Sequence, residues 1–222
     1  MNFFNARLTR VLALALTAVL ALAIAGCGDS DTSAGTDAQG CQDVQQPSAK
    51  PVSVSKPAKQ LDASKTYTAT FATTCGNFSI KLDVKNNPIT ATSFANLVSH
   101  GVYDNTWFHR IIPEFVVQGG DPQGSGMGDA GYNVVEKPKG KYKIGTVAMA
   151  KGGADPAGSS SSQFYIVIGA EGVDLPPDYA IAGEVSSGKD VVDKIAEHGN
   201  ADGSGTPTSA VIVKKATLTT GS

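Results

Sequence analysis

The amino-acid sequence predicts a mainly β domain, built as a closed antiparallel barrel and capped by two α-helices. Three observations carry that expectation: short β-forming runs recur through most of the chain, glycine-rich turns separate them, and only two segments show helical periodicity. A doubly wound parallel sheet would need a helix after most strands, and the chain has too few helical segments. With 222 residues, 41% hydrophobic and 17% charged, there is material for one well-packed domain plus extras. The formal net charge of -2 supplies no overall basic field, so nucleic acid is not an expected partner.

The chain opens on an address. Arg7 and Arg10 precede the apolar run "VLALALTAVLALAIAGC", which is followed by no charge until Asp29, the pattern of an export signal over residues 1–27. The run approaches the length of a bilayer span, but it ends in "IAGC", Ile24 to Cys27, which resembles the bacterial lipobox. That resemblance implies a diacylglycerol on the Cys27 thiol, cleavage before it, and a lipoprotein anchored to the outer face of the cell membrane. Residues 28–60 are rich in Gly, Ser, Ala and Pro and nearly free of large apolar side chains, and they read as a flexible stalk before a domain at 61–222. Cys41 in the stalk and Cys75 in the domain are the thiols left after Cys27. In an oxidising compartment they suggest a disulfide, with two free thiols as the alternative. There is no Cys-x-x-Cys, and the three histidines are scattered, so no metal site is expected.

Beyond the stalk each element has its own signal. "YTATFATT" and "GNFSIKLDV" flank Cys75-Gly76 and predict a hairpin. In "NNPITATSFANLVSHG", Asn87 can cap, Pro88 fits the first turn, Ala91, Phe94, Ala95 and Val98 recur at helical spacing, and Gly101 suits the stop. Strands follow at "WFHRII", "EFVVQ", "IGTVAMA", "SQFYIVIG" and "YAIAGEV". A second helix lies in "SSGKDVVDKIAEHG", with Val191, Val192 and Ile195 on one stripe and Gly199 behind it, and "AVIVKKATL" is the last strand. No internal repeat is visible.

Several suggestive residues have plain readings. "GSGMGDAG" opens no helix, so it reads as a surface loop rather than a phosphate cradle. The serines of "AGSSSSQ" lie in no nucleophile elbow. His100 and His198, near helix ends, read as exposed cap residues, and His109 reads as structural, on the face opposite Arg110. Trp107 reads as packing. Arg110 is different, because a guanidinium cannot shed its charge and a position inside an apolar strand demands an ion-pair partner or a mouth open to ligand. Pro113 interrupts the strand, and the chain restarts at Phe115-Val116-Val117-Gln118. An arginine, an aromatic, an aliphatic and a glutamine can then face one groove that contains no nucleophile or general base. Such a groove suits peptide binding, or a reaction that breaks no covalent bond.

"FHRIIPEFVVQGGD" closely resembles the signature of the cyclophilin-type peptidyl-prolyl cis-trans isomerases, and the match continues in order through "GTVAMAKGG", "SSQFYIVIG" and "YAIAGEV". It covers roughly Tyr67 to Leu218. The resemblance implies an eight-stranded antiparallel barrel closed by two helices, no cofactor, proline-containing polypeptides as partners, and a monomer. It also implies roles. Arg110, with Phe115 and Gln118, is the catalytic set, the guanidinium addressing the prolyl nitrogen and carbonyl. Phe115, Val116, Leu175 and Tyr165, the last where the family usually has Phe, are the walls of the proline pocket. Gln118 and Gln163 match the glutamines that hydrogen-bond substrate and neighbours, and the backbone at Ala150, Lys151 and Gly152 matches the peptide-binding edge. The chain departs from many eukaryotic members in reading "MAKG" for "MANA", in lacking the Trp beside Leu175, and in having Tyr179 in place of a His. Two functions are therefore weighed, an isomerase that assists folding of exported proteins and a catalytically weak module that holds proline segments; the presence of Arg110 favours the first.

Overall fold

A computed structural model describes residues 35–222. The lipobox cysteine Cys27, the signal segment 1–27 and the first part of the stalk lie outside the described residues. Eleven strands and three helices follow one another: β1 Thr66–Thr73, β2 Gly76–Leu82, α1 Pro88–Ser99, β3 Thr106–Trp107, β4 Arg110–Ile112, β5 Val116–Gly119, β6 Val134–Val135, β7 Thr146–Met149, β8 Ser159–Ser160, β9 Phe164–Val167, α2 Ala170–Val173, β10 Ile181–Ser187, α3 Lys189–Ala196 and β11 Ile212–Gly221.

Nine strands form one antiparallel sheet in the order β3-β11-β1-β2-β10-β7-β9-β5-β4, and β6 pairs with β8 beside it. The sheet begins and ends on consecutive pieces of one stretch, since only Phe108 and His109 separate β3 from β4. Counted as a single kinked strand, those pieces make the expected eight-stranded barrel. Closure is approximate: between the edge strands, chain continuity takes the place of a hydrogen-bonded ladder. The two expected helices are α1 and α3, and the one-turn α2 is an addition.

Aromatic side chains fill the interior. Phe71 sits among Phe78, Tyr103 and Phe164 at centroid distances of 5.2, 5.6 and 5.5 Å, with Phe94 and Phe108 completing the cluster. All six are fully buried, so the barrel is a packed core with no room for a ligand.

The start of α1 differs in mechanism from the sequence expectation. Asn87 stands at the N-cap, but its side chain makes no capping bond; it donates to Asp83 Oδ2 at 2.8 Å and accepts from the Lys139 N–H at 2.9 Å. The orphaned amides of Ile89 and Thr90 are taken by the Glu136 carboxylate at 3.3 and 2.7 Å, a cap brought from 46 residues away. Gly101, at φ +64°, ends the helix as expected.

The expected flexible stalk is corrected over residues 35–60, which form an extended strap bound along the barrel. Its backbone N–H groups at Gln42, Lys50, Val54 and Leu61 donate to Thr74 O, Pro122 O, Ala130 O and Thr92 Oγ1. Lys50 Nζ caps the carbonyls of Gly101 and Asp104, both at 3.0 Å, and Val52, Val54 and Leu61 rest on the core. Composition missed this because backbone donors are the same in every residue and the apolar contacts are few and scattered along the strap. Cys41 and Cys75 are joined as a disulfide in the structure. His198 is likewise corrected: it is buried, 1% exposed, against that disulfide, whereas His100 is an exposed cap of α1.

The bridge closes a loop of 34 residues, a length for which chain entropy alone gives about 3–4 kcal/mol. Cys41→Ser/Cys75→Ser is expected to lose stability of that order in urea unfolding, and thiol labelling of the unfolded, unreduced wild type is expected to find neither Cys41 nor Cys75 free.

Candidate active site

The tight turn after β4 sets the site's register. Glu114, at φ +58°, reverses the chain, and β4 and β5 pair with Arg110 opposite Gln118. Opposed residues on an antiparallel pair project to the same face, so the two side chains meet. Arg110 Nη1 donates to Gln118 Oε1 at 3.2 Å, Gln118 Nε2 donates to Gln163 Oε1 at 3.1 Å, and Gln163 Nε2 donates to the carbonyls of Gly126 and Gly128 at 3.0 and 2.9 Å. Each amide accepts on one side and donates on the other. The result is a polar relay that ends on fixed backbone.

Among the described residues Arg110 takes part in no salt bridge. Its charge is oriented by a neutral amide and lies 5.5 Å from the Phe115 ring centroid, in cation–π range. The aliphatic stem is backed by the 199–208 loop, where Ile111 N–H donates to Gly205 O at 2.9 Å. Gly205 sits at φ +80°, and a Cβ there would lie 3.0 Å from Arg110 Cγ, so this close approach needs glycine. Sequence reasoning did not find Gly205; the glycines of "ADGSG" were its only trace.

An apolar patch adjoins the guanidinium. Val116 and Tyr165 are buried and form its floor together with Val167, while the half-buried Phe115, Ala150, Leu175 and Tyr179 pack around them. Tyr165 meets the Tyr179 ring edge-on at 5.6 Å. Burial pushes the Tyr165 phenol far above its ordinary value, with Tyr142 and Tyr179 adding to the shift, so it stays protonated at all physiological pH. A separate groove of about 370 Å³ opens where Gln118 and Gln163 meet Ala150, Lys151 and Gly152. The two glutamines thus lie between the apolar patch and the groove. The backbone edge is partly committed, because the Ala150 N–H donates to Gln163 O at 2.9 Å and the Gly152 N–H to Asp155 Oδ2 at 2.8 Å. Lys151 Nζ lies 5.6 Å from the Tyr179 ring centroid, above the rim.

His109, next to Arg110, is held in its neutral form. Burial holds its imidazole below the ordinary value, and the Arg110 charge adds to this against the opposing pull of Asp121. The glycine-rich loop, read from sequence as a bystander, is part of the site. Asp121 binds the amides of Gln123, Gly126 and Gly128 at 2.7, 2.6 and 3.1 Å and the Ser125 hydroxyl at 3.2 Å. One carboxylate thereby fixes the two carbonyls that hold Gln163. The visible signal was an acidic residue followed by four closely spaced glycines, Gly124, Gly126, Gly128 and Gly131.

Comparison with known proteins places these features. The family description "Cyclophilin type peptidyl-prolyl cis-trans isomerase/CLD" matches residues 68–218. A peptidyl-prolyl cis-trans isomerase of Helicobacter pylori is 35% identical over 147 residues, 63% of this chain and 86% of the relative. A probable peptidyl-prolyl cis-trans isomerase B of Mycobacterium leprae is 34% identical over 190 residues, 77% of this chain and 63% of the relative. A crystal structure of a Cryptosporidium parvum cyclophilin-type isomerase superposes with a TM-score of 0.63 at 26% identity, covering 69% of this chain and 98% of that one.

Asp121 generates a prediction. Burial raises its carboxyl, but the amides of Gln123, Gly128 and Gly126 and the Ser125 hydroxyl outweigh that and leave it below the ordinary value. A depressed folded-state pKa means that its contribution is fully present above the unfolded value of about 3.9 and is lost as pH falls through the folded one. Asp121→Ala is expected to cost about 1.5–3 kcal/mol in chemical denaturation. Hydrogen exchange at Gly126 and Gly128 is expected to quicken in that variant at neutral pH, and in the wild type only in acid.

Proposed function

The chain belongs to the cyclophilin-type peptidyl-prolyl cis-trans isomerase family, and from that premise we propose that it accelerates Xaa-Pro isomerisation in exported proteins, assisting their folding from the outer face of the cell membrane. The observation that carries the catalytic assignment is Arg110. It is a guanidinium with no carboxylate partner among the described residues, oriented by Gln118 and lying over Phe115 at the edge of an apolar patch.

The chemistry follows from the amide. Resonance gives the bond a barrier of about 18–20 kcal/mol, and twisting it returns electron density to the prolyl nitrogen. In this reading the proline ring enters the pocket over Val116 and Tyr165, rimmed by Phe115, Leu175 and Tyr179. The residues preceding the proline lie along Ala150, Lys151 and Gly152, and Gln163 and Gln118 hold the peptide and the arginine in register. Arg110 holds the prolyl carbonyl and donates toward the ring nitrogen as its lone pair develops. That interaction is stronger in the twisted state than in the planar one, so it lowers the barrier without moving a proton. No step requires a cofactor.

A lysine would retain the charge of Arg110 but not the planar fork. Arg110→Lys is expected to fold normally and to reduce exchange of an Xaa-Pro peptide, measured by two-dimensional NMR, on the order of 10²–10³-fold. Loss of melting temperature with wild-type exchange per folded molecule would make Arg110 a structural group and leave a module that holds proline segments.

The membrane address rests on the sequence "LAIAGC". We read Cys27 as lipidated and the isomerase as a monomer tethered through it. Cys27→Ser is expected to release the protein from the membrane fraction or leave it unprocessed, and mass spectrometry of the mature N-terminus is expected to find acyl chains on residue 27.

A further inference from the structure

We propose that, once the Cys41–Cys75 disulfide is reduced, its two sulfurs form with His198 and Asp37 a site for one divalent cation of the zinc type. The four groups come from three separate elements: Asp37 and Cys41 from one turn of the strap, Cys75 from the β1–β2 turn, and His198 from the chain following α3. His198 Nε2 lies 3.4 Å from Cys41 Sγ, 3.9 Å from Cys75 Sγ and 3.5 Å from Asp37 Oδ2. The ligand atoms of both cysteines and the histidine lie within 4.8 Å of one another, and all three residues are buried.

The ring is locked in a ligating pose. Its other nitrogen, Nδ1, is 2.7 Å from Ser209 Oγ, and Thr208 binds the His198 carbonyl through both its N–H and its hydroxyl. A metal-binding imidazole characteristically hands its second N–H to such a partner, which directs the free lone pair inward. The carboxylate is prepared in the same way. Asp37 Oδ1 accepts the amides of Gln39 and Cys41 at 3.0 and 2.8 Å, which leaves Oδ2 facing the ring. Those bonds hold Asp37 and Cys41 on one turn without help from the disulfide. A disulfide gains little from the histidine, because sulfur is a weak acceptor. Two thiolates, an imidazole and a carboxylate are a tetrahedral donor set for zinc.

The steps balance. A small dithiol attacks one protein sulfur, passes through a mixed disulfide and leaves as its own cyclic disulfide, delivering two electrons and two protons to Cys41 and Cys75. The cation then displaces both thiol protons and accepts the Nε2 lone pair. The sulfurs must separate to about 3.7 Å for Zn–S bonds of about 2.3 Å, and the adjustment falls on the strap turn at 37–41. The cation replaces the covalent bond as the clamp between strap and barrel. Sequence reasoning expected no metal because the ligands are 34 and 123 residues apart and form no motif.

Cobalt is the probe. The full-length chain in detergent, reduced with a dithiol that is then removed anaerobically, is expected to bind one equivalent of Co²⁺ with thiolate-to-cobalt charge transfer and intense tetrahedral d–d bands, both abolished by Zn²⁺. The oxidised chain is expected to show neither. Ser209→Ala is expected to weaken the site about 10–100-fold, and His198→Ala to remove the tetrahedral bands. A reduced chain of native circular dichroism without these bands, or bands unchanged in His198→Ala, overturns the proposal. If reduction unfolds the chain, Zn²⁺ is expected to refold it, and failure to do so also overturns the site.

Discussion

Six fully buried aromatic rings fill the interior of this eight-stranded barrel. Everything that meets a ligand must therefore be displayed on the outer surface of the wall. Strand alternation enforces the division. Ile111, Val117, Val147, Met149, Phe164 and Ile166 point into the core, while their neighbours Arg110, Val116, Gln118, Ala148, Tyr165 and Val167 point outward. A second, smaller apolar cluster forms on that outer face, beside Arg110 and Phe115. This two-sided burial explains why "TVAM" and "FYIV" read as unbroken apolar runs although the sheet is antiparallel. A charged residue in such a strand is conspicuous for the same reason.

The relay of neutral amides has a consequence for the charge of Arg110. A carboxylate at position 118 would orient the guanidinium more strongly, but it would also satisfy its charge and compete with a substrate carbonyl. Gln118 accepts one N–H and leaves the rest of the fork available. The amide is in turn fixed by Gln163 rather than by solvent. Preorganisation of this kind costs nothing at the moment of reaction, because the donors are already aimed. His109 next door is held neutral, so the positive charge beside the apolar patch comes from the guanidinium and from the Lys151 ammonium above the Tyr179 ring.

What the sequence disclosed and what it withheld divide along locality. Arg110, Phe115 and Gln118 were legible because a proline-containing turn and two-residue periodicity place them together within nine residues. Helix α1 was legible in extent, but not in its true cap, because Glu136 is far away in sequence. The Cys41–Cys75 bridge was legible from the two remaining thiols, but the ordered strap around it was not, since most of its attachment consists of backbone hydrogen bonds that composition does not report. The role of Gly126 and Gly128 was hidden in the same way: only their backbone amides and carbonyls act. His198 was misread because its position after α3 suggested an exposed cap, whereas packing of the strap over the hairpin turned that position into an interior one.

The strap and the site share a loop. Lys50 and Val54 donate to Pro122 and Ala130, the two ends of the segment that Asp121 organises, and that segment holds Gln163, which holds Gln118, which orients Arg110. A run of hydrogen bonds and short backbone links thus leads from the N-terminal strap to the guanidinium. Magnitudes decide what that run can transmit. Each neutral link contributes about 0.5–1.5 kcal/mol net, and coupling through links in series cannot exceed the weakest of them. The disulfide clamp, at about 3–4 kcal/mol, is larger than any such link. Asp121, with three amides and a hydroxyl on one charged group, isolates the loop further from whatever happens to the strap. The strap is therefore a stability element first, and the orientation of Arg110 depends chiefly on Asp121 and the two glutamines beside it.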